Sequence, residues 1–334
     1  MFQTKKAAKM MAIMSLSCGI FSINGFEMVS AKAYESDKNQ KLIENFDSSE
    51  FRISEEGELL GYKGDGKEVV IPEGVKKIAF GVFLDRDNIE KVVLPESLED
   101  VGEYVFFGCA SLKEVEIPNK VKKIGRLAFG DCKSCRSIRL GSGIKAIEEF
   151  AFDGCSGLEE ITVNAANQKF SSKDGILYDK DQKIVKMCPA NKKGEVTLPE
   201  TVEVISEYAF AGCKDIEKVC GGGNKPLKLE DAAFYKCENL TNIDVKAGFS
   251  KIGSCVFAEC KSLKEFTVGE NVSKLGSLAF MKCEALRKVT FLSNKTSLGK
   301  NVFASCPQTI LISAEEDSEI GKYAKKHFSK FILA

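Results

Sequence analysis

The chain has 334 residues, 44% of them apolar and 29% charged, a globular composition that excludes a disordered tail or a fibre. Lys plus Arg and Asp plus Glu are both 48, so the chain lacks the basic footprint a nucleic-acid binder needs to neutralise phosphates. A single histidine, His327, removes most histidine-based acid–base and metal chemistry, while 23 Phe and 13 Cys beside no Trp call for an explanation.

Residues 1–33 carry Lys5, Lys6 and Lys9, an apolar stretch from Met10 to Ile23, and Ala31-Lys32-Ala33, the small-x-small pattern a signal peptidase accepts. The apolar stretch is short of the about 20 residues a membrane-spanning helix needs. Cleavage after Ala33 is expected, placing the chain outside the cell or on its surface with no transmembrane segment in the mature form. Cleavage leaves 44 basic and 47 acidic residues, a near-neutral protein. Residues 34–50 are polar and read as a flexible linker.

From residue 51 onward the enriched residues are periodic. Phenylalanines stand at 83, 106, 129 and 152, then at 210, 234, 257, 280 and 303, almost every interval being 23 residues. Five residues before each is an aliphatic: Ile78, Val101, Ile124, Ile147, Ile205, Leu229, Ile252, Leu275 and Leu298. Three after each stands Cys109, Cys132, Cys155, Cys213, Cys237, Cys260, Cys283 or Cys306, with Arg86 the exception in the first copy. An L-x-x-V-x-I run follows, as in Leu112 to Ile117.

A unit this short cannot bury its own apolar face, so copies must stack and share one core. The alternating V-x-I supplies a short strand whose intervening side chains point outward. Prolines 72, 95, 118 and 199 follow such strands and end the ladder. The Ala-Phe-x-x-Cys part reads as a short helical or irregular turn that buries Phe. The cysteine column is expected to be a ladder of buried free thiols.

The full pattern, seen in Val101 to Pro118, resembles the BspA-like leucine-rich repeats of bacterial and some protist surface proteins, over roughly residues 51 to 312. The resemblance implies an α/β repeat solenoid: a right-handed leucine-rich-repeat coil, mostly β, with short helical or irregular convex segments and a parallel concave sheet. It also implies a non-enzymatic secreted or surface-displayed protein that engages an extracellular protein or cell-surface ligand. Departures are Arg86 and Thr309 in the end copies, and Gly221 where an aliphatic residue is expected.

Between Phe152 and Phe210 lie 35 residues more than one period, and Glu195 to Ile205 echoes Glu68 to Ile78. Ser172-Lys-Asp-Gly175 and Ser54-Glu-Glu-Gly57 both read as hairpin turns between short apolar runs. The expected organisation is an N-terminal hairpin with a first array (51–163), an inserted hairpin (164–195), a second array (196–312) and a C-terminal cap (313–334). Ile320, Tyr323, Ala324 and His327 at helical spacing predict an amphipathic helix closing the last edge, with His327 half-buried on it.

Motifs with other readings resolve into the repeat. Cys132-x-x-Cys135 lacks a second ligand pair for zinc, and both residues fall on core positions. Leu198-Pro-Glu-Thr201 is a repeat turn lacking the final Gly of a sortase signal. Glu159-Glu160 sit side by side on a strand and point apart, poor geometry for acid–base catalysis. No catalytic, cofactor or metal residues are expected, and no cofactor.

Function is therefore sought on the outward columns of the sheet. The candidate binding face is Lys91, Glu114, Glu116, Arg139, Glu160, Lys218, Cys220, Asn242, Asp244, Glu265 and Lys288. It is mixed in sign and free of aromatics, which argues for a broad contact more than one deep pocket. Cys220, beside Gly221-Gly222-Gly223, is either a reactive thiol or an ordinary surface residue next to a bulge. A structural envelope or matrix component without a specific ligand is the alternative.

Overall fold

A computed structural model describes residues 50–307, 310–327 and 330–333, the last group by backbone alone. The expected signal peptide (1–33), the linker up to residue 49 and the departure at Thr309 lie outside the described residues. The chain divides into two units, residues 1–52 with 61–64 and residues 53–60 with 65–334. In the first, the rings of Phe51 and Tyr62 lie 5.1 Å apart, and the Lys63 N–H donates to the Glu50 carbonyl at 3.0 Å.

The second unit is a parallel β-solenoid of about eleven turns, mostly strand with very little helix. Each coil contributes to two parallel ladders. One is the expected V-x-I ladder, with Val115, Ile138 and Ile161 in register and buried, and, further on, Val196, Val219 and Ile243 in register. The other was not foreseen. The aliphatic residues five before each Phe form it, as strands of mostly two residues: Ile78, Val101, Ile124 and Ile147 are successive partners, as are Val185, Ile205, Leu229, Ile252, Leu275 and Leu298. Behind this ladder the coils approach so closely that a Cβ on Gly125 would sit 2.6 Å from the backbone of Gly102.

The Phe segments are turns, not helices. Non-glycine residues with positive φ bracket the phenylalanine, as with Leu127 (φ 50) and Asp131 (φ 55) around Phe129, and left-handed residues end any helix. Main-chain bonds still run from coil to coil there: the Phe106 N–H donates to the Ala128 carbonyl at 2.7 Å, and Phe129 to Ala151 at 2.8 Å. The phenylalanines stack through the core, with centroids 4.9 Å apart for Phe83–Phe106, 5.2 Å for Phe106–Phe129 and 5.4 Å for Phe257–Phe280.

All twelve cysteines among the described residues are free. Their order comes from main-chain acceptors. The Cys132 thiol donates to the Phe106 carbonyl (3.3 Å), Cys155 to Phe129 (3.0 Å), Cys260 to Phe234 (3.1 Å) and Cys283 to Phe257 (3.0 Å). Each carbonyl also receives the N–H of the cysteine in its own coil, Phe234 from Cys237 at 3.2 Å for example. A thiol is a weak donor on a nearly apolar side chain, so it completes a buried acceptor with little desolvation.

The insertion carries three strands. Phe170–Lys173, Ile176–Asp179 and Ile184–Met187 form antiparallel neighbours, and the last then pairs in parallel with Val204–Ile205. Cys188 takes the main-chain place of a phenylalanine, its N–H donating to the Ala209 carbonyl at 2.7 Å, so the coil-to-coil bonding resumes. A fully buried Asn167 plugs the seam: its amide donates to the carbonyls of Gly141 and Ile144, both at 3.1 Å, and its oxygen accepts the N–H groups of Lys169 and Phe170, both at 2.8 Å.

At the C-terminal end the expected helix is Glu319–His327, capped by the Ser318 hydroxyl, which accepts the Gly321 N–H at 2.9 Å. Ile320 and Ala324 are buried. Two expectations need correction. The sheet edge is extended not by the helix but by the parallel strand Lys330–Leu333 on Leu311–Ala314. His327 is exposed and rests against Tyr323 with centroids 4.5 Å apart, because it falls in the last turn, past the buried positions.

Candidate binding face

The period-2 rule fixes which side chains face out of the V-x-I ladder. Glu114, Ser137 and Glu160 are successive partners in one row, and Glu116, Arg139 and Thr162 in the next. Further on, Lys218 partners Asn242, Cys220 partners Asp244, and Glu265 partners Lys288. Lys91 lies in the first pair of strands, opposite Glu68. Of these candidates Lys218, Cys220 and Lys288 are half-buried and the rest exposed.

Opposite charges one coil apart neutralise much of the face. Lys91 pairs with Glu68 at 2.6 Å, Arg139 with Glu114 at 3.5 Å, and Lys218 with both Glu195 (3.9 Å) and Asp244 (3.8 Å). On the neighbouring row Glu90 is gripped by Lys113 and Lys67. Hydrogen bonds from these two ammonium groups, Lys113 first, with their charges, hold its carboxyl down at about 2. Such pairs are exposed and each is worth little, so their main effect is to set which charges stay available. Glu116, Glu160, Asn242, Glu265 and Lys288 are the candidates without an ion pair or side-chain hydrogen bond among the described residues.

Cys220 sits where the repeat phase places it, with its thiol donating to the Glu195 carboxylate at 2.9 Å. Next to it Gly221 has φ +91, and a Cβ there would meet the Leu198 carbonyl at 2.6 Å, which explains the loss of the aliphatic residue at that position. Cys132 and Cys135 are both fully buried and bonded to separate carbonyls, Phe106 at 3.3 Å and Ser137 at 3.6 Å. Burial pushes the Cys135 thiol up to about 12, the opposite of what a reactive cysteine needs. Among the described residues no group of three or more His, Cys, Asp or Glu could hold a metal ion. No helix among them is long and apolar enough to cross a membrane.

Sequence reasoning missed one element of this face. Where the first ladder meets the inserted strands, the sheet ends in a cleft of about 640 Å³ whose walls include Arg136, Glu159, Glu160, Asp174 and Lys192. The turn at Asp174–Gly175 closes it: the Ile161 N–H donates to the Gly175 carbonyl at 2.8 Å, and the missing Gly175 Cβ would lie 3.0 Å from the Glu160 Cβ. No repeat period places Asp174 or Lys192 beside Arg136, so the sequence held no signal for it.

Residues 62–174 and 186–324 match the family model described as BspA type leucine rich repeat region, in six copies. A search of curated proteins found no match. Among solved structures, the pneumococcal vaccine antigen PcpA superposes with a TM-score of 0.63 at 19% identity, covering 80% of this chain and 79% of that one. A leucine-rich repeat protein from Eubacterium ventriosum gives 0.58 at 23% identity, covering 78% and 81%. At these identities the two structures speak for the fold.

Proposed function

Because this chain belongs to the BspA-type leucine-rich-repeat family, we propose that it is a non-enzymatic, secreted or cell-surface protein that binds an extracellular protein or cell-surface ligand through its outward sheet rows, in the manner of an adhesin. The observation that carries this reading is the succession of short parallel ladders, of up to four strands each, on which Glu116, Asn242, Glu265 and Lys288 stand exposed or half-buried with their polar groups unengaged. Each offers little on its own, and affinity on such a face comes from many simultaneous contacts or from display of many copies. The leader-like N-terminus and the likeness to a vaccine antigen support display outside the cell. The family fold is typically a binding scaffold.

The test is binding of labelled protein to host cells, matrix proteins and bacterial envelopes, beside a variant carrying Glu116→Lys, Glu265→Lys and Lys288→Glu. These three residues make no ion pairs, so the variant leaves the inter-coil charge network intact. Saturable binding that the variant loses supports the reading; saturable binding that it keeps moves the contact off this face. A structural role in the envelope is the second reading, favoured by the inter-coil ion pairs that already neutralise much of the face. Self-association or partition with envelopes alone would select it.

A further inference from the structure

From coil to coil, opposite charges 23 residues apart close on one another: Lys91 on Glu68 at 2.6 Å and Lys67 on Glu90 at 2.8 Å at the V-x-I strands, and Lys282 on Glu259 at 3.2 Å in the phenylalanine turns. Arg136 and Glu159 have the same spacing, and the Glu159 N–H reaches the Arg136 carbonyl at 2.9 Å, so their backbones are as close as those of any pair. Their side chains nevertheless form no ion pair. Glu159 instead accepts the Asn191 amide at a long 3.5 Å, and the Arg136 guanidinium has no partner at all among the described residues. Beside them Glu160 is also without a partner, and Lys192 spends its bond on the Asp174 main-chain carbonyl, leaving the Asp174 carboxylate unpaired.

These groups share the walls of the 640 Å³ cleft, a volume inside the range of about 300–1,000 Å³ for ligand sites. Its chemistry is divided: Lys113 and Glu114 also line it but are paired with Glu90 and Arg139, which leaves a guanidinium and an ammonium against three carboxylates, with the half-buried Ser137 between them. A purely anionic ligand would face Glu159, Glu160 and Asp174; a purely cationic one would face Arg136 and Lys192. Only a ligand carrying both signs a short distance apart satisfies both sides. In an extended peptide, residues two apart project to the same side about 7 Å from each other. We infer that the cleft at the seam of the two arrays binds extended peptide segments that carry a basic and an acidic side chain two residues apart, the acidic one on Arg136 and the basic one on the Glu159–Glu160–Asp174 side. This deepens the proposed function and rests on the reading of the sheet face as a protein-binding surface.

The probes are three capped pentapeptides, Ac-Gly-Lys-Gly-Glu-Gly-NH2, Ac-Gly-Lys-Gly-Lys-Gly-NH2 and Ac-Gly-Glu-Gly-Glu-Gly-NH2, titrated into isotopically labelled full-length protein at low salt. The mixed peptide is expected to bind five- to tenfold more tightly than either single-sign peptide, with amide shifts confined to 136–137, 159–161, 174–175 and 192. Two variants at exposed positions then test the assignment by preference. Arg136→Glu should move the preference to the Lys-Lys peptide, and the double variant Glu159→Gln with Glu160→Gln to the Glu-Glu peptide. Equal affinity for all three peptides, shifts elsewhere, or a preference that neither variant moves overturns the inference. Failure of the cell and matrix binding with the mixed-peptide preference intact would instead sink the broader reading and leave the cleft assignment standing.

Discussion

Replacing Asn167 by Ala removes four hydrogen bonds at once, two to the carbonyls of Gly141 and Ile144 and two from the N–H groups of Lys169 and Phe170. The side chain is fully buried, and so are its two bonds to carbonyls, while the two N–H groups are part-buried. At about 1 kcal/mol net for each bond the loss is about 4 kcal/mol, large for a single substitution. Asn167→Asp keeps the acceptor but turns a carboxylate toward two carbonyls. Its folded pKa is therefore raised, so relative to the parent protein the variant should fare best below about pH 3.9, the unfolded value, and fall behind as pH rises through the folded one. Urea denaturation read with hydrogen exchange would measure both. The faster exchange should be confined to the coils around residues 140–190, since stability in stacked repeats is local. A cost below about 1 kcal/mol for the alanine variant, or a pH-independent aspartate variant, would refute the view that this side chain joins the two arrays.

Other outcomes follow from the same packing. Phe257, stacked on both sides at 5.7 and 5.4 Å, should cost about 3–5 kcal/mol on truncation to Ala, and more than Phe152, which stacks only on Phe129 at 5.9 Å; calorimetry of the two variants decides it. The Glu90 carboxyl should titrate by NMR at about 2 and move up toward the ordinary carboxylate value in Lys113→Met. Because that pKa is depressed, the stabilisation it brings is present above about pH 4.3 and is lost as pH falls toward 2. In native protein a small thiol reagent should label Cys220, which is half-buried, and leave the ladder cysteines untouched; burial pushes Cys109 up to about 12. Mass spectrometry showing rapid labelling of Cys260 would contradict the buried-thiol ladder.

The repeat is legible because its burial is periodic: nine phenylalanines and nine aliphatic residues, almost all at intervals of 23, mark the core. The second ladder was not legible, since strands as short as Lys77–Ile78 show no alternation to detect. What the sequence shows there is only the aliphatic residue, and the pairing that makes it a strand comes from the next coil. The inter-coil ion pairs are written in the spacing of Lys67, Glu90 and Lys113, each 23 apart, but spacing alone does not say that the long side chains close on one another. Asn167 lies in the polar run Asn164 to Lys169, which looks like any surface loop until the strands close over it. The cleft depends on residues from either side of the insertion, and there periodicity is silent.

The main-chain bonds that run from one coil to the next also determine how such a chain gives way under load. A coil is held by its neighbours alone, so tension applied along the stack strips coils from an end in sequence. Each released coil of 23 residues frees about 80 Å of extended chain. The stretch between Phe152 and Phe210, tied by Asn167 and the three inserted strands, would let go as one longer step. Pulled in this way, the stack would lengthen in graded increments while the coils beyond the break keep their shape.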